Sequence, residues 1–374
     1  SNVCMESTGK YFVPVYNALE GHISNVVVAN PKWVKAIKGE KDDNKDAKWI
    51  ADLFKFGIVR SSYIPEKDIR ILREFTRYQY KLVNMRSSEK NRFQNALTTG
   101  NCKLDLVFTD VFGKSASSIV DTILSNDSYT SEDILSKVHS RCKASDEDIL
   151  NAVDGTQLNH FQKARIQIVQ KHMEYLDSLL DEIQQHIDLM VSNYENYIQL
   201  LCTIPGISRK SAITIISEVG IDMSQWSSHR KLTAWAGLSP GCNQSAGKKK
   251  SVKISKAGVY LKPCLVQVAH AAVKDKECDY YATKYNKISK RRGKKRAIVA
   301  IARKILIAVY HLLKTGEVFN PTDMADVETT QKQRIKYITN NLRNAFNQLS
   351  RTGLSEEEIL QLIKKRSTNS PQIE

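Results

Sequence analysis

The sequence has no paired cysteines. Its seven, Cys4, Cys102, Cys142, Cys202, Cys242, Cys264 and Cys278, are scattered singly, and no Cys-x-x-Cys spacing occurs among them. Neither a disulfide framework nor a structural zinc site is expected on that pattern, and a reducing compartment, the bacterial cytoplasm, is expected. No apolar run is long enough to span a bilayer, and no secretory pattern opens the chain, so no membrane association is expected. There is no internal repeat. At 374 residues, 41% hydrophobic and 26% charged, the chain is globular and too long for one compact core, which points to two or three domains.

Charge of one sign is scarce in two places. From Glu174 to Cys202 there are six acidic residues and no Lys or Arg. Between Thr203 and Thr322 the balance reverses, with 23 Lys and Arg against 6 acidic residues, which accounts for the whole formal excess of +16. A basic balance so localised predicts that the C-terminal part binds a polyanion, namely nucleic acid.

The pattern along the chain divides into four stretches: 1–62, 63–202, 203–320 and 321–374. The first alternates in the α/β manner. Asn2–Glu6 reads as a short buried strand, Lys10–Leu19 as a helix and Asn25–Ala29 as a β-branched strand, with Pro31 opening a short helix and Asp46–Phe56 another. Glu66 to about Leu97 reads as one long helix whose Arg70, Arg73, Arg77 and Lys81 fall on one face at spacings of three and four. In residues 166–201, Ile166, Val169, Met173, Leu176, Leu180, Ile183, Ile187, Met190, Tyr194, Tyr197 and Leu201 form an a/d seam of about five heptads. Such a seam needs a partner, either the 66–97 helix in cis or a second subunit in trans. A compact, mainly helical basic domain follows. After Pro321 two further amphipathic helices are expected, the last opening at Ser355 with Glu358 as its capping-box partner.

Four groups of residues could carry chemistry. Glu6 ends the first strand, while Asp43 and Asp46, three apart at the mouth of a helix, share one face. Three converging carboxylates repel unless a cation offsets them, and hard oxygen donors suit Mg²⁺, two ions of which serve phosphoryl transfer. Asp43 and Asp46 would equally suit a helix N-terminus with no metal. Thr203-Ile-Pro-Gly-Ile-Ser208, followed by an apolar helix, has the form of a helix-hairpin-helix, in which Gly206 would offer backbone N–H groups to a phosphate. Ser245 lies two residues before Gly247 and is followed by Lys248, Lys249 and Lys250. It could attack a phosphodiester, or simply turn the chain. Lys287–Arg296 holds seven basic residues in ten, among them Lys290, Arg291, Arg292, Lys294, Lys295 and Arg296, and suits a phosphate backbone as well as it suits water.

Taken in order, Met5-Glu-Ser-Thr-Gly9, Val28-Ala-Asn-Pro31, Asp43-Asn-Lys-Asp-Ala47, Ile69-Arg-Ile-Leu-Arg73, Ile204-Pro-Gly-Ile207, Ala234-Trp-Ala-Gly-Leu-Ser-Pro240, Ser245-Ala-Gly247 and Ile254-Ser-Lys-Ala-Gly258 resemble the DEDD-type insertion-sequence transposases that include the bridge-RNA-guided recombinases. The resemblance runs over residues 1 to about 320. It implies an α/β RuvC-like (RNase H fold) N-terminal domain, coiled-coil helices and a mainly α C-terminal transposase domain. It implies that Glu6, Asp43 and Asp46 are three of four metal-binding acids, and that Ser245 is the nucleophile forming a covalent phosphoserine link to DNA. It further implies a structured guide RNA, for which the Arg70–Lys81 face is a candidate contact.

Two departures accompany it. The family's first acid lies on a strand upstream of Glu6, so about fifty residues, three strands with their connections, are expected to be missing before Ser1. Ala246 stands where the family has Gly after the serine. The expected enzyme is a transposase acting by metal-assisted serine attack. It would be a homodimer or homotetramer through the coiled coil, with the acids and the serine meeting at one phosphate. A junction-resolving metal nuclease without serine chemistry, and a non-catalytic nucleic-acid-binding module, remain the alternatives.

Overall fold

The computed structural model describes residues 1–34, 42–241, 243–245, 248–251, 253–321 and 339. The helices expected after Pro321, including the one opening at Ser355, lie outside the described residues. The chain divides into two compact units, residues 1–194 and 195–374.

The first unit opens with a β–α–β turn of chain. Strand β1 (Asn2–Glu6) pairs parallel with β2 (Asn25–Ala29), from Asn2 opposite Asn25 to Glu6 opposite Ala29. Parallel partners need a crossover, and helix α1 (Phe12–Leu19) supplies it. β2 is the better covered strand: Val28 and Ala29 are buried, and its other side meets the chain through an Ala29–Ser61 bridge and a Ser62 N–H donated to Val28 O. β1 is half-buried, with Asn2 exposed, where a short buried strand was expected. Helix α2 (Pro31–Val34) follows β2. Helix α3 (Asp43–Lys55) packs beside β1 and starts three residues earlier than expected, because Asp42 caps it by accepting from the Asn44 N–H at 3.1 Å.

Helix α4 (Lys67–Thr99) is followed by four short helices, α5 (Leu104–Val107), α6 (Lys114–Ser125), α7 (Ser131–Leu135) and α8 (Asp146–Val153). Their apolar faces close a core of Phe93, Leu97, Ile119, Ile123, Ile149 and Ile166 at the far end of α4. Helix α9 (His160–Met190) enters through an Asn159–Gln162 capping box and runs antiparallel to α4. The register is set by polar and aromatic pairs that descend one helix as they climb the other. Phe75 meets His186, Gln79 donates to Gln184, Arg86 pairs with Asp177, and buried Glu89 accepts from Arg92 and lies 3.3 Å from His172 Nδ1. The seam residues Ile166, Leu176, Ile183 and Ile187 are buried in this hairpin, so α4 serves as their partner in cis. The helix expected to run on to Leu201 ends at Met190. A tight 3₁₀ turn at Ser192–Tyr194 follows, with the Ser192 hydroxyl donating back to Leu189 O.

The second unit begins with α10 (Glu195–Cys202), a turn, and α11 (Arg209–Val219), capped by reciprocal Ser208–Ser211 bonds. Then come α12 (His229–Trp235), an antiparallel hairpin of β3 (Asn243–Ser245) and β4 (Lys248–Ser251), and helices α13 (Leu261–Lys274), α14 (Tyr280–Arg292) and α15 (Lys294–Thr315). α15 is the hub: α10, α12, α13 and α14 all pack on it, over buried Ala297, Ile301, Ile305, Leu306 and Val309. Among the described residues no helix is long and apolar enough to cross a membrane.

Candidate nucleic-acid and catalytic residues

Glu6 ends β1, half-buried, and its carboxylate accepts a hydrogen bond from the Thr8 hydroxyl. Asp43 and Asp46 occupy the first turn of α3, exposed. Capping falls to Asp42, so the two do not serve as the N-cap, although both still favour the positive end of the helix. As donors, three carboxylates suit a hard divalent cation. They are not gathered into a cage: among the described residues no group of three or more His, Cys, Asp and Glu side chains is disposed to hold a metal.

Of the four candidate cations on α4, Arg70 is held within the first unit. Its guanidinium donates to both Glu20 oxygens, to Pro65 O at 2.8 Å and to Asn17 Oδ1 at 3.0 Å, and it lies over the Tyr16 ring. The bond from Arg70 holds Glu20 below the usual carboxylate range. Arg70 therefore fastens α1 to α4, a role its spacing did not reveal. Arg73 lies over Tyr63, while Arg77 is half-buried and Lys81 exposed.

In the second unit, Gly206 has φ +84°, and a side chain there would stand 2.5 Å from Ala272 N and 2.6 Å from Val268 O. The glycine lets the Ile204–Ile207 turn press onto α13, a packing demand that the phosphate-site reading had not weighed. The motifs Ala234–Pro240 and Ile254–Gly258 dock backbone to backbone. A Cβ on Gly237 would meet Ala257 O at 2.6 Å, and one on Gly258 would meet Ala236 O at 2.3 Å. Ser239 and Thr233 share a hydroxyl contact at 3.1 Å, and Lys262 Nζ donates to Ser255 O. A Pro240–Ile254 bridge and a Gly241 N–H donated to Lys253 O then start the β3–β4 hairpin. This welded base holds the hairpin by both ends. Ser245 is the last residue of β3, in register with Lys248, while Gln244 pairs with Lys249. Lys250 lies on β4 as well. Ala246 and Gly247 lie outside the described residues, so the effect of alanine in place of glycine does too.

Lys290, Arg291 and Arg292 form the last turn of α14 and Lys294, Lys295 and Arg296 the first turn of α15, with Gly293 between them; all six cations are exposed. The first three suit a helix C-terminus. The second three sit at the positive end of the α15 dipole, with no acidic residue and no side-chain cap to offset them.

Residues 1–101 match a transposase family of the DEDD IS110 type, and residues 198–286 match the family described as transposase IS116/IS110/IS902. The chain is 32% identical over 124 residues to the transposase for insertion sequence element IS1111A of Coxiella burnetii (strain RSA 493 / Nine Mile phase I). That alignment covers 32% of this chain and 34% of the relative, so the chain spans about a third of the length of the curated protein it matches. Both matched stretches, about half of the chain together and in this order, are regions of IS110-type insertion-sequence transposases, to which this chain is similar.

Proposed function

We propose that the chain cleaves and rejoins DNA strands during transposition, with Ser245 as nucleophile. The observation that carries this is the siting of Ser245 at the end of β3, in register with Lys248, on a hairpin held by two docked glycine motifs inside the second matched region. In the reaction the serine oxygen bonds to phosphorus, a deoxyribose oxygen leaves, and the hydroxyl proton passes to a base. The phosphoserine link conserves the bond energy needed for rejoining. Lys248, Lys249 and Lys250, which follow the serine in sequence, would supply positive charge to the phosphate as it acquires negative charge.

Glu6, Asp43 and Asp46 are the residues that would hold Mg²⁺, as two ions in this reading, with the β1–α1–β2 unit read as part of a RuvC-like RNase H fold. When bound, the metal would supply Lewis-acid stabilisation of the phosphoryl oxygens. The Thr8 hydroxyl bond to Glu6 orients one of these donors. We read the α10–α11 connection as a helix-hairpin-helix and assign phosphate-backbone binding to Gly206 and to Lys290–Arg296. Cations at the α15 N-terminus destabilise that helix unless an anion sits against them, which favours a nucleic-acid partner over a merely solvated face. Arg77 and Lys81, with Arg73, form the candidate face for a structured guide RNA, while Arg70 is held within the chain.

We assign self-association to the hairpin. Its outer face carries Ile71, Tyr78 and Met85 on α4 and Ile168, Tyr175 and Leu189 on α9, exposed and at spacings of seven or fourteen. A cleft of about 420 Å³ beside Phe75, Tyr78, Leu179 and Ile183 lies between the helices. A partner helix would cover this face, giving a homodimer or homotetramer. The test of the catalytic reading is a Ser245→Ala variant incubated with an element end and Mg²⁺: loss of a covalent protein–DNA adduct is expected. Continued cutting without an adduct would support a metal nuclease instead.

A further inference from the structure

We propose that His229, His311 and Arg303, on α12 and α15, form a second phosphate-binding site in the C-terminal unit, separate from the Lys290–Arg296 run and from the Ser245 hairpin. The His229 and His311 rings lie 5.5 Å apart, and both stand against Tyr310, at 6.1 and 5.4 Å. The Tyr310 hydroxyl is turned inward, donating to Trp226 O, so the ring is a fixed wall. Lys314 Nζ lies 5.8 Å from the centre of the same ring. Arg303 brings a buried Nε with no hydrogen-bond partner.

Among the described residues no carboxylate is paired with this group. Neither α12 nor α15 contains an Asp or Glu, and the first acid beyond α15 is Glu317. Of the other elements packed on α15, α13 and α14 contain no acid. On α10, Glu195 is bound to Arg209, and Asp222, before the Met223–Gln225 turn, is bound to Ser224. Burial holds the His229 pKa below its ordinary value, and the charges that add to this are all positive: His311, Arg230 and Arg303. A cluster that repels its own protonation is relieved by a phosphate, whose binding would draw a proton onto His229. The ligand class is therefore a phosphodiester of nucleic acid, held more tightly as pH falls.

This inference rests on the nucleic-acid reading above, and the test separates the two. The imidazole NMR signals of the full chain are followed against pH with and without inorganic phosphate, assigned with His229→Gln and His311→Gln. Phosphate is expected to raise the His229 pKa. In parallel, binding of a 20-base-pair DNA duplex, and of an RNA duplex of the same sequence, is measured from pH 8 to pH 6. Wild type is expected to tighten by up to about tenfold per pH unit more than the double variant, since one coupled proton is worth up to a factor of ten per pH unit. The duplex showing the larger difference identifies the source of the phosphate. His139→Gln, on the other unit, serves as the control. Identical pH profiles in wild type and double variant, with His229 unmoved by phosphate, would overturn the proposal. Binding that remained strongly salt-dependent in that case would leave the nucleic-acid reading standing.

Discussion

Ser245 and Arg70 carry opposite lessons at the scale of single residues. Ser245 is one of many serines in the sequence, and only its place at the end of a braced hairpin sets it apart. Replacing Gly258 by Ala is expected to disturb that place without touching the serine, because a Cβ there meets Ala236 O at 2.3 Å and neither partner is a flexible side chain. Adduct yield should fall while the far-ultraviolet circular dichroism is retained. Arg70, a candidate RNA contact by the family resemblance, fastens α1 to α4 through Glu20. Arg70→Ala is expected to cost about 1–2 kcal/mol, read by urea denaturation, since a charged hydrogen-bonded pair is lost at a partly exposed site. Glu20 is held below its usual pKa by this arginine, so the pair's contribution is present above the ordinary carboxylate value and disappears as pH falls through the lowered one. The gap in stability between wild type and variant should therefore close as pH falls below the ordinary carboxylate value.

At the scale of elements, the α4–α9 hairpin and the start of α15 are built for different ends. Leu176 is buried in the hairpin seam, and Leu176→Ala is expected to destabilise the first unit by about 2–5 kcal/mol, measured by denaturant unfolding. Changing Lys294, Lys295 and Arg296 together to Glu should move two observables in opposite directions. Helix stability rises by about 0.3–1 kcal/mol per residue as the dipole is matched. Affinity for duplex DNA falls, and the slope of log affinity against log salt drops by up to about three contacts. A variant that lost stability along with binding would count against that reading. Elements with a strong period were legible in advance: β2 falls on the β-branched run Asn25–Ala29, and α4 and α9 on their apolar stripes. What was not legible was set by local hydrogen bonds and by contacts distant in sequence. Asp42, not a later residue, starts α3, and the turn at Ser192–Tyr194 interrupts a seam whose apolar spacing continues through it. The Gly237–Gly258 docking joins stretches some twenty residues apart and leaves no periodic trace. The His229–His311 cluster joins residues more than eighty apart and could not have been found by spacing.

For the whole molecule, the sequence's charge asymmetry survives as a division of labour. The second unit is the basic one, and the first holds the three candidate acids and an apolar hairpin face. If that face mediates self-association, Tyr78→Glu together with Tyr175→Glu should shift the protein to monomer in sedimentation, with folding retained because both residues are exposed. The central claim is covalent catalysis by Ser245, and trapping the protein on DNA tests it most directly. Purified chain, its Glu6→Gln variant and its Ser245→Ala variant are each incubated with labelled element-end DNA and Mg²⁺, denatured, and resolved by mass. The account predicts a protease-sensitive DNA adduct mapping to Ser245 in the wild type and in neither variant; an adduct that persists in Ser245→Ala, or DNA cut by that variant at the wild-type rate, would contradict it.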